Sequence, residues 1–353
     1  MTSIRLISLA VVLSILLPGC QQEPAPAPAS PPSGTTTEAV EAPSKVVVYT
    51  SRQPHLVEPL FERFKEDTGL EIEFISDDAG ALIERLAAEG ENSPADVLIT
   101  VDAGNLWQAG ERGLLQPLES EFLNERVPAA LRDPDSLWFG LSIRARTLVY
   151  HPNRVDPASL STYAALAEPE WQGRLCLRTS RKVYNQSLVA VMIERFGETR
   201  TEQIVRGWVE NLATDPFSSD TRLIEAMAAG QCDVGIVNTY YLGRLQQEDP
   251  QYPVRLFWAD QGAGGVHVNI SGAGITTHAG NFAGARTLIE WLAGDTAQQM
   301  MAATNLEFPV VEDVPLDPVV EAWGPYRGDS TNLAVAGKRQ AEAVRLMDRA
   351  GWR

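Results

Sequence analysis

Apolar positions over residues 45–100 keep two alternating rhythms. Residues 45–49 form a β-branched run that reads as a buried strand. Val57, Leu60, Phe61 and Phe64 then recur at helical spacing, and Thr68-Gly69 predicts the stop. Leu70, Ile72 and Phe74 alternate with Glu71 and Glu73, the mark of a half-exposed strand. Leu82, Ile83 and Leu86 make a second helical face closed by Gly90, and residues 96–100 are again an apolar strand. Strand, helix, strand, helix, strand implies parallel pairing with helices on the sheet faces. The rhythm returns later: a strand over 174–178, and a helix over 186–196 with Leu188, Val191, Met192 and Phe196 inward. A helix over 221–229 stops at Gly230, and a buried strand follows over 232–238. Phe282, Ala285, Leu288, Ile289 and Leu292 mark another amphipathic helix, and 333–350 reads as helical. There is no short internal repeat. Two α/β units at opposite ends of the chain predict two lobes, with ligand held outside the strands' carboxyl ends in a cleft that closes by a hinge.

The first 44 residues follow neither rhythm. Arg5, the apolar run 6–17 and Pro18-Gly19-Cys20 make a secretory signal over 1–19. The run is shorter than the roughly 20 residues of a membrane span. Leu17-Pro18-Gly19-Cys20 resembles a bacterial lipobox, with Cys20 as the lipidated residue; Pro18 departs from the usual small or branched residue. The alternative is simple cleavage in which Cys20 has no role. Residues 20–44, rich in Pro, Ala, Ser and Thr, are expected to be a disordered tether. No later segment is apolar enough to cross a bilayer. The expected location is therefore the periplasm or cell envelope, with the folded part lipid-anchored to a bacterial membrane.

The 353 residues, 44% of them hydrophobic, suit about two domains. A net charge of −17 excludes nucleic acid as a partner, favours a self-repelling monomer, and slightly favours cations. Cys176 and Cys232 each fall in an expected buried strand. In an oxidising compartment they either pair or serve as two small core residues, and both readings stand. Their spacing does not suit zinc.

Tyrosine carries the chemical signal. The chain has eight, and Tyr49, Tyr184, Tyr240 and Tyr241 all fall at or just past strand carboxyl ends, where side chains reach a cleft. Tyr184 is expected in the loop before its helix. Adjacent tyrosines in a strand would face opposite ways, whereas at the mouth of a helix both hydroxyls converge. The plain reading is an aromatic-lined pocket for an organic ligand. The sharper reading is a hard trivalent cation, which displaces phenol protons and is neutralised by three phenolates. Zinc would draw on His and Cys, and the chain has only four His. Calcium would need a carboxylate loop that is absent. Arg52, three residues past the first strand end, suits bidentate contact with a small anion completing the metal's sphere.

At these residues the chain resembles the ferric-iron-binding proteins of ABC-type importers. Tyr49-Thr50-Ser51-Arg52-Gln53-Pro54 is similar to their opening strand and loop. Val183-Tyr184-Asn185-Gln186-Ser187-Leu188-Val189-Ala190 is similar to their central tyrosine motif, and Val237-Asn238-Thr239-Tyr240-Tyr241-Leu242 to their paired-tyrosine motif. Asp102-Ala103-Gly104, Arg144-Ala145-Arg146 and His267-Val268-Asn269-Ile270-Ser271-Gly272-Ala273-Gly274 are also similar, so the resemblance spans the chain from about Lys45 onward. It implies a two-lobed α/β fold of the type II periplasmic-binding-protein class, with residues 45–146 plus 271–321 in the N-terminal lobe. Residues 147–270 plus 322–353 then form the C-terminal lobe, with crossings near 141–147 and 265–275. It implies iron ligation by Tyr184, Tyr240 and Tyr241, and delivery of Fe3+ to an ABC-transporter permease in the inner membrane. Many relatives have His-Tyr after Ser-Arg; Gln53 and Pro54 here resemble the subgroup that uses three tyrosines and a synergistic anion, commonly carbonate. Arg52, Gln53 and Arg144 would hold that anion. His55 begins a helix and points elsewhere, and Tyr49 packs its strand.

Two other readings are weighed against it. The same fold serves organic cations or small anions, since fold does not fix ligand. An enzyme is disfavoured: Ser51, His55 and nearby Asp residues form no nucleophile elbow, phosphate loop or metal-hydrolase spacing.

Overall fold

A computed structural model describes residues 45–353. The signal, the tether and Cys20 lie outside the described residues. Strands β1 (Lys45–Thr50), β2 (Glu71–Ser76) and β3 (Val97–Thr100) alternate with helices α1 (Pro54–Thr68), α2 (Ala79–Glu89) and α3 (Ala103–Glu111). Helix α1 opens with Pro54, whose missing N–H costs nothing at that position. It buries Val57, Leu60, Phe61 and Phe64 and ends at Gly69 in the left-handed region (φ 76°). There the Gly69 N–H donates to the Lys65 carbonyl at 2.8 Å, satisfying an otherwise orphaned acceptor. Burial of large apolar side chains, each stabilising by about 1.5–3 kcal/mol, fixes which face of such a helix meets the sheet.

After β4 (Leu115–Gln116) and α4 (Glu121–Arg126) comes the long strand β5 (Phe139–Tyr150). Next in the chain are β6 (Leu175–Cys176), α5 (Val183–Phe196), α6 (Glu198–Glu210), α7 (Asp220–Ala228), β7 (Val234–Asn238), α8 (Thr239–Glu248), β8 (Arg255–Phe257) and β9 (Val268–Thr276). Five helices close the chain: α9 (Phe282–Leu292), α10 (Asp295–Asn305), α11 (Pro318–Glu321), α12 (Ala334–Lys338) and α13 (Gln340–Arg349). Among the described residues the strands form one path, β2-β1-β3-β9-β5-β7-β6, with β4 added on β9 and β8 on β5. The expected parallel pairing holds for β1 with β2 and β3, and for β6 with β7. Between these parallel units lie two strands that the pattern did not predict: β9 runs antiparallel to β3 and β5, and β5 antiparallel to β7. Strand β5 changes partners within its length. Residues up to Ala145 pair with β9, ending at Ala145↔Val268, and from Arg146 onward they pair with β7, starting at Arg146↔Asn238.

Several boundaries differ from the sequence expectation. The expected strand 174–178 shrinks to Leu175–Cys176, with Arg178 continuing only as an isolated bridge to Phe217. Cys232 lies before β7 rather than in it. The expected single helix 333–350 breaks at Arg339 into α12 and α13. Helix α12 lies so close to α3 that a Cβ on Gly337 would stand 2.5 Å from the Trp107 ring.

Cys176 and Cys232 form a disulfide with their Cα atoms 5.9 Å apart, closing a loop of sequence separation 56. In the chain-entropy model a loop of that size is worth about 4 kcal/mol, mostly by restricting the unfolded chain. Replacing both cysteines by alanine should lower the unfolding free energy by about 2–4 kcal/mol, read as a lower urea midpoint with a steeper slope, because the freed unfolded chain exposes more surface.

Candidate metal centre

Parallel strands deliver the chain to one edge of the sheet, and helices start there. Tyr184 is the second residue of α5, and Tyr240 and Tyr241 are the second and third of α8. Tyr184 is thus in a helical first turn rather than the expected loop, since the helix begins at Val183. The paired tyrosines are helical, so their rings lie side by side, centroids 4.2 Å apart, instead of facing opposite ways. Each ring sits at a helix N-terminus, where free N–H groups and the helix dipole favour negative charge.

Tyr184, Tyr240 and Tyr241 line one cavity of about 920 Å3. Arg52, Gln53 and Arg144, the expected anion-binding residues, line it too, so the fold brings all six together. His55 also lines it from the first turn of α1. Tyr49 does not. It is fully buried behind β1, its hydroxyl donating to the Glu89 carboxylate at 3.0 Å with Arg85 over its ring. Its strand-end position therefore does not turn it toward the cavity.

The cavity is strongly cationic. The Arg144 guanidinium lies 5.8 Å from the centre of the Tyr184 ring, and that of Arg178 lies 5.6 Å from Tyr184 and 6.0 Å from Tyr241. Arg244 lies over Tyr240 at 5.3 Å, and Arg181 and Lys182 complete the wall. Sequence reasoning missed Arg178 and Arg244, although Arg178 follows β6 by the same strand-end rule that singled out Tyr184. It also missed Glu307, which no local pattern marks.

Glu307 organises the floor. Its carboxylate takes Arg52 Nη1 at 3.1 Å and Nη2 at 3.3 Å, and the Ser142 hydroxyl at 2.6 Å. Burial pushes its pKa up, but Arg52, Arg144 and Ser142 together hold it below the ordinary carboxylate value. Arg52 also donates to Ser271, and Arg144 to the Val101 and Ile270 carbonyls. The terminal nitrogens of Arg52 are thus engaged by protein groups, while the Nε atoms of both arginines make no hydrogen bond, that of Arg144 lying 3.9 Å from the Glu307 carboxylate.

Burial raises the Tyr184 pKa, with the Arg144 charge pulling it back. Tyr240 is raised well above the ordinary phenol value by burial and by its two tyrosine neighbours. These two phenols hold their protons at neutral pH until a strongly polarising cation displaces them. Among the described residues no group of three or more His, Cys, Asp or Glu side chains is placed to hold a metal ion. The cavity's oxygen donors include three phenols, which match a hard trivalent ion, beside the carboxylates of Asp77, Asp78 and Glu307.

Residues 92–327 match the pattern of bacterial extracellular solute-binding proteins. The chain is 41% identical to iron uptake protein A1 of Synechocystis, over 97% of this chain and 95% of that protein. It superposes on Trichodesmium FutA, solved with iron and citrate, with a TM-score of 0.84 and 44% identity, covering 88% of this chain and all of the other. The ferric iron-binding protein A of Mannheimia haemolytica in an open conformation gives 0.81 and 36%, covering 88% and 99%. The fold is the type II periplasmic-binding-protein fold these structures share.

Two buried groups behind the cavity give stability opposite pH dependences. Burial raises Asp102 from 3.8 to about 6, despite hydrogen bonds from Gly104 N–H, Ser187 and Asn269. The folded chain keeps that proton after the unfolded chain has lost it, so Asp102 lowers stability as pH rises from about 4 to about 6. Burial depresses His267 from 6.5 to about 4, so its contribution is lost as pH falls through that window. In urea titrations between those pH values, Asp102→Asn should remove the first dependence and His267→Gln the second. The two difference curves should slope in opposite directions.

Proposed function

The chain belongs to the bacterial extracellular solute-binding proteins, and from that premise we propose that it captures ferric iron and delivers it to an ABC-type importer. The observation that carries the reading is the convergence of three tyrosines at helix N-termini inside one arginine-lined cavity. Tyr184, Tyr240 and Tyr241 ligate Fe3+ as phenolates, releasing protons as it binds. Relatives named for iron uptake and ferric binding, at 24–45% identity, support the cargo.

A small anion completes the iron's sphere, and carbonate fits a cavity with this much positive charge. Gln53 and the fields of Arg52 and Arg144 hold it, the two arginines being fixed in place by Glu307 and its neighbours. Residues 45–146 plus 271–321 act as one lobe and 147–270 plus 322–353 as the other, with β5 and β9 as the crossing strands. The tyrosines belong to the second lobe, so an open form loads iron and closure brings the first lobe over it. The protein works as a monomer in the periplasm, tethered through lipidated Cys20, with the permease as its partner. It performs no catalysis.

Tyr184→Phe and Tyr240→Phe should each weaken ferric binding by more than the roughly 10–100-fold typical of outer-sphere partners. Competition against a chelator of known affinity measures this, and Tyr49→Phe should leave affinity unchanged. Equal losses at all three positions would refute the ligand assignment.

A further inference from the structure

Both tyrosine-bearing helices begin without a side-chain cap: none is made by Lys182 before α5 or by Asn238 before α8. Uncapped first turns fray, because their N–H groups lack partners. A ligand set built on two such turns needs another restraint. The Asn238 side chain, the natural cap of α8, is instead turned toward Arg146, whose Nη1 donates to its Oδ1 at 3.2 Å. Arg146 Nε donates to Asn185 Oδ1 at 2.9 Å, and Asn185 directly follows Tyr184. Nη1 also donates to Asp220 Oδ2 at 3.0 Å, and Nη2 to the Ile236 carbonyl at 3.1 Å. One buried guanidinium thus joins the first turn of α5, the cap position of α8 and the end of β7.

Its own backbone is equally fixed. The Arg146 N–H donates to the His267 carbonyl at 2.9 Å, and its carbonyl accepts from the Tyr163 hydroxyl at 2.5 Å. Arg146 is also the residue at which β5 leaves β9 and joins β7. It is 1% exposed and does not line the cavity, so it acts on cargo only through other residues.

We propose that Arg146 is a positioning residue that holds Tyr184 and the Tyr240–Tyr241 pair in one register and ties that register to the crossing point of β5. The inference rests on the ferric reading of those tyrosines. The rigid planar fork is what the role requires, because it reaches Asn185, Asn238 and Asp220 at fixed angles. Lysine keeps the charge opposite Asp220 but offers a single nitrogen.

The test combines Arg146→Lys with Asn238→Ala, which removes one arm and leaves the buried ion pair intact. NMR of isotope-labelled tyrosine rings in the iron-free protein reads the register without metal, and ferric titration of the same samples reads its consequence. Arg146→Lys should move the ring resonances of Tyr184, Tyr240 and Tyr241 while leaving Tyr49 and Tyr150 in place. It should also shift the phenolate-to-iron charge-transfer band and weaken affinity by roughly 10–100-fold, the range for partners that orient metal ligands. Asn238→Ala should move Tyr240 and Tyr241 but not Tyr184. Unmoved ring resonances with unchanged affinity would overturn the proposal. So would an affinity loss matched by a general fall in the urea midpoint with no selective change in the three rings. The unsubstituted protein, titrated alongside, reports separately on the ferric site itself.

Discussion

Three phenols gathered in one arginine-lined cavity set the terms for the rest of the molecule. Burial opposes ionisation of Tyr184 and Tyr240, and a second phenolate beside the first would be costlier still. Arginine charge and helix N-termini offset part of that cost, and a trivalent cation would supply the remainder. Tyr184 and Tyr240 therefore keep their protons in the empty cavity, and only a highly charged cation would displace them. A divalent ion of ordinary polarising power would gain less from the same donors, so any preference for a trivalent ion would follow from charge and hardness more than from size.

Such an arrangement demands accuracy from elements distant in sequence. The Cys176–Cys232 bridge joins the segments leading to Arg178 and to Tyr240, and Arg146 joins the helical turns that carry the tyrosines. Glu307 does the corresponding work at the cavity floor, fixing Arg52 across a sequence separation of 255. The buried arginines Arg52, Arg144 and Arg146 each have a buried carboxylate within reach, as the cost of an unpaired charge requires. Both terminal nitrogens of Arg52 and the Nη2 of Arg144 are held by protein groups, so the two guanidiniums face the cavity in fixed orientations.

The first α/β unit was legible in the sequence because its helices bury one face: the 57, 60, 61, 64 spacing names the inward residues of α1 without error. The tyrosine triad was legible from the strand-end rule and, more specifically, from the resemblance to ferric-binding proteins. Strands β5 and β9 had no periodic signature, because nearly all their residues are buried on both faces and many are small or polar. Glu307 and the fork of Arg146 were invisible for another reason: each acts through partners far away in sequence, which no local pattern records. Tyr49 shows the limit of the strand-end rule, since Glu89 and Arg85 draw its ring behind the sheet.

The most direct measurement is a crystal structure of the iron-loaded protein, with the metal located by anomalous scattering at the iron edge. A single iron bonded to the phenol oxygens of Tyr184, Tyr240 and Tyr241, with a small anion against the arginine wall, is the predicted result. Iron held instead by His55 or by the Asp77 and Asp78 carboxylates at the cavity mouth, with the three phenols unligated, would contradict it.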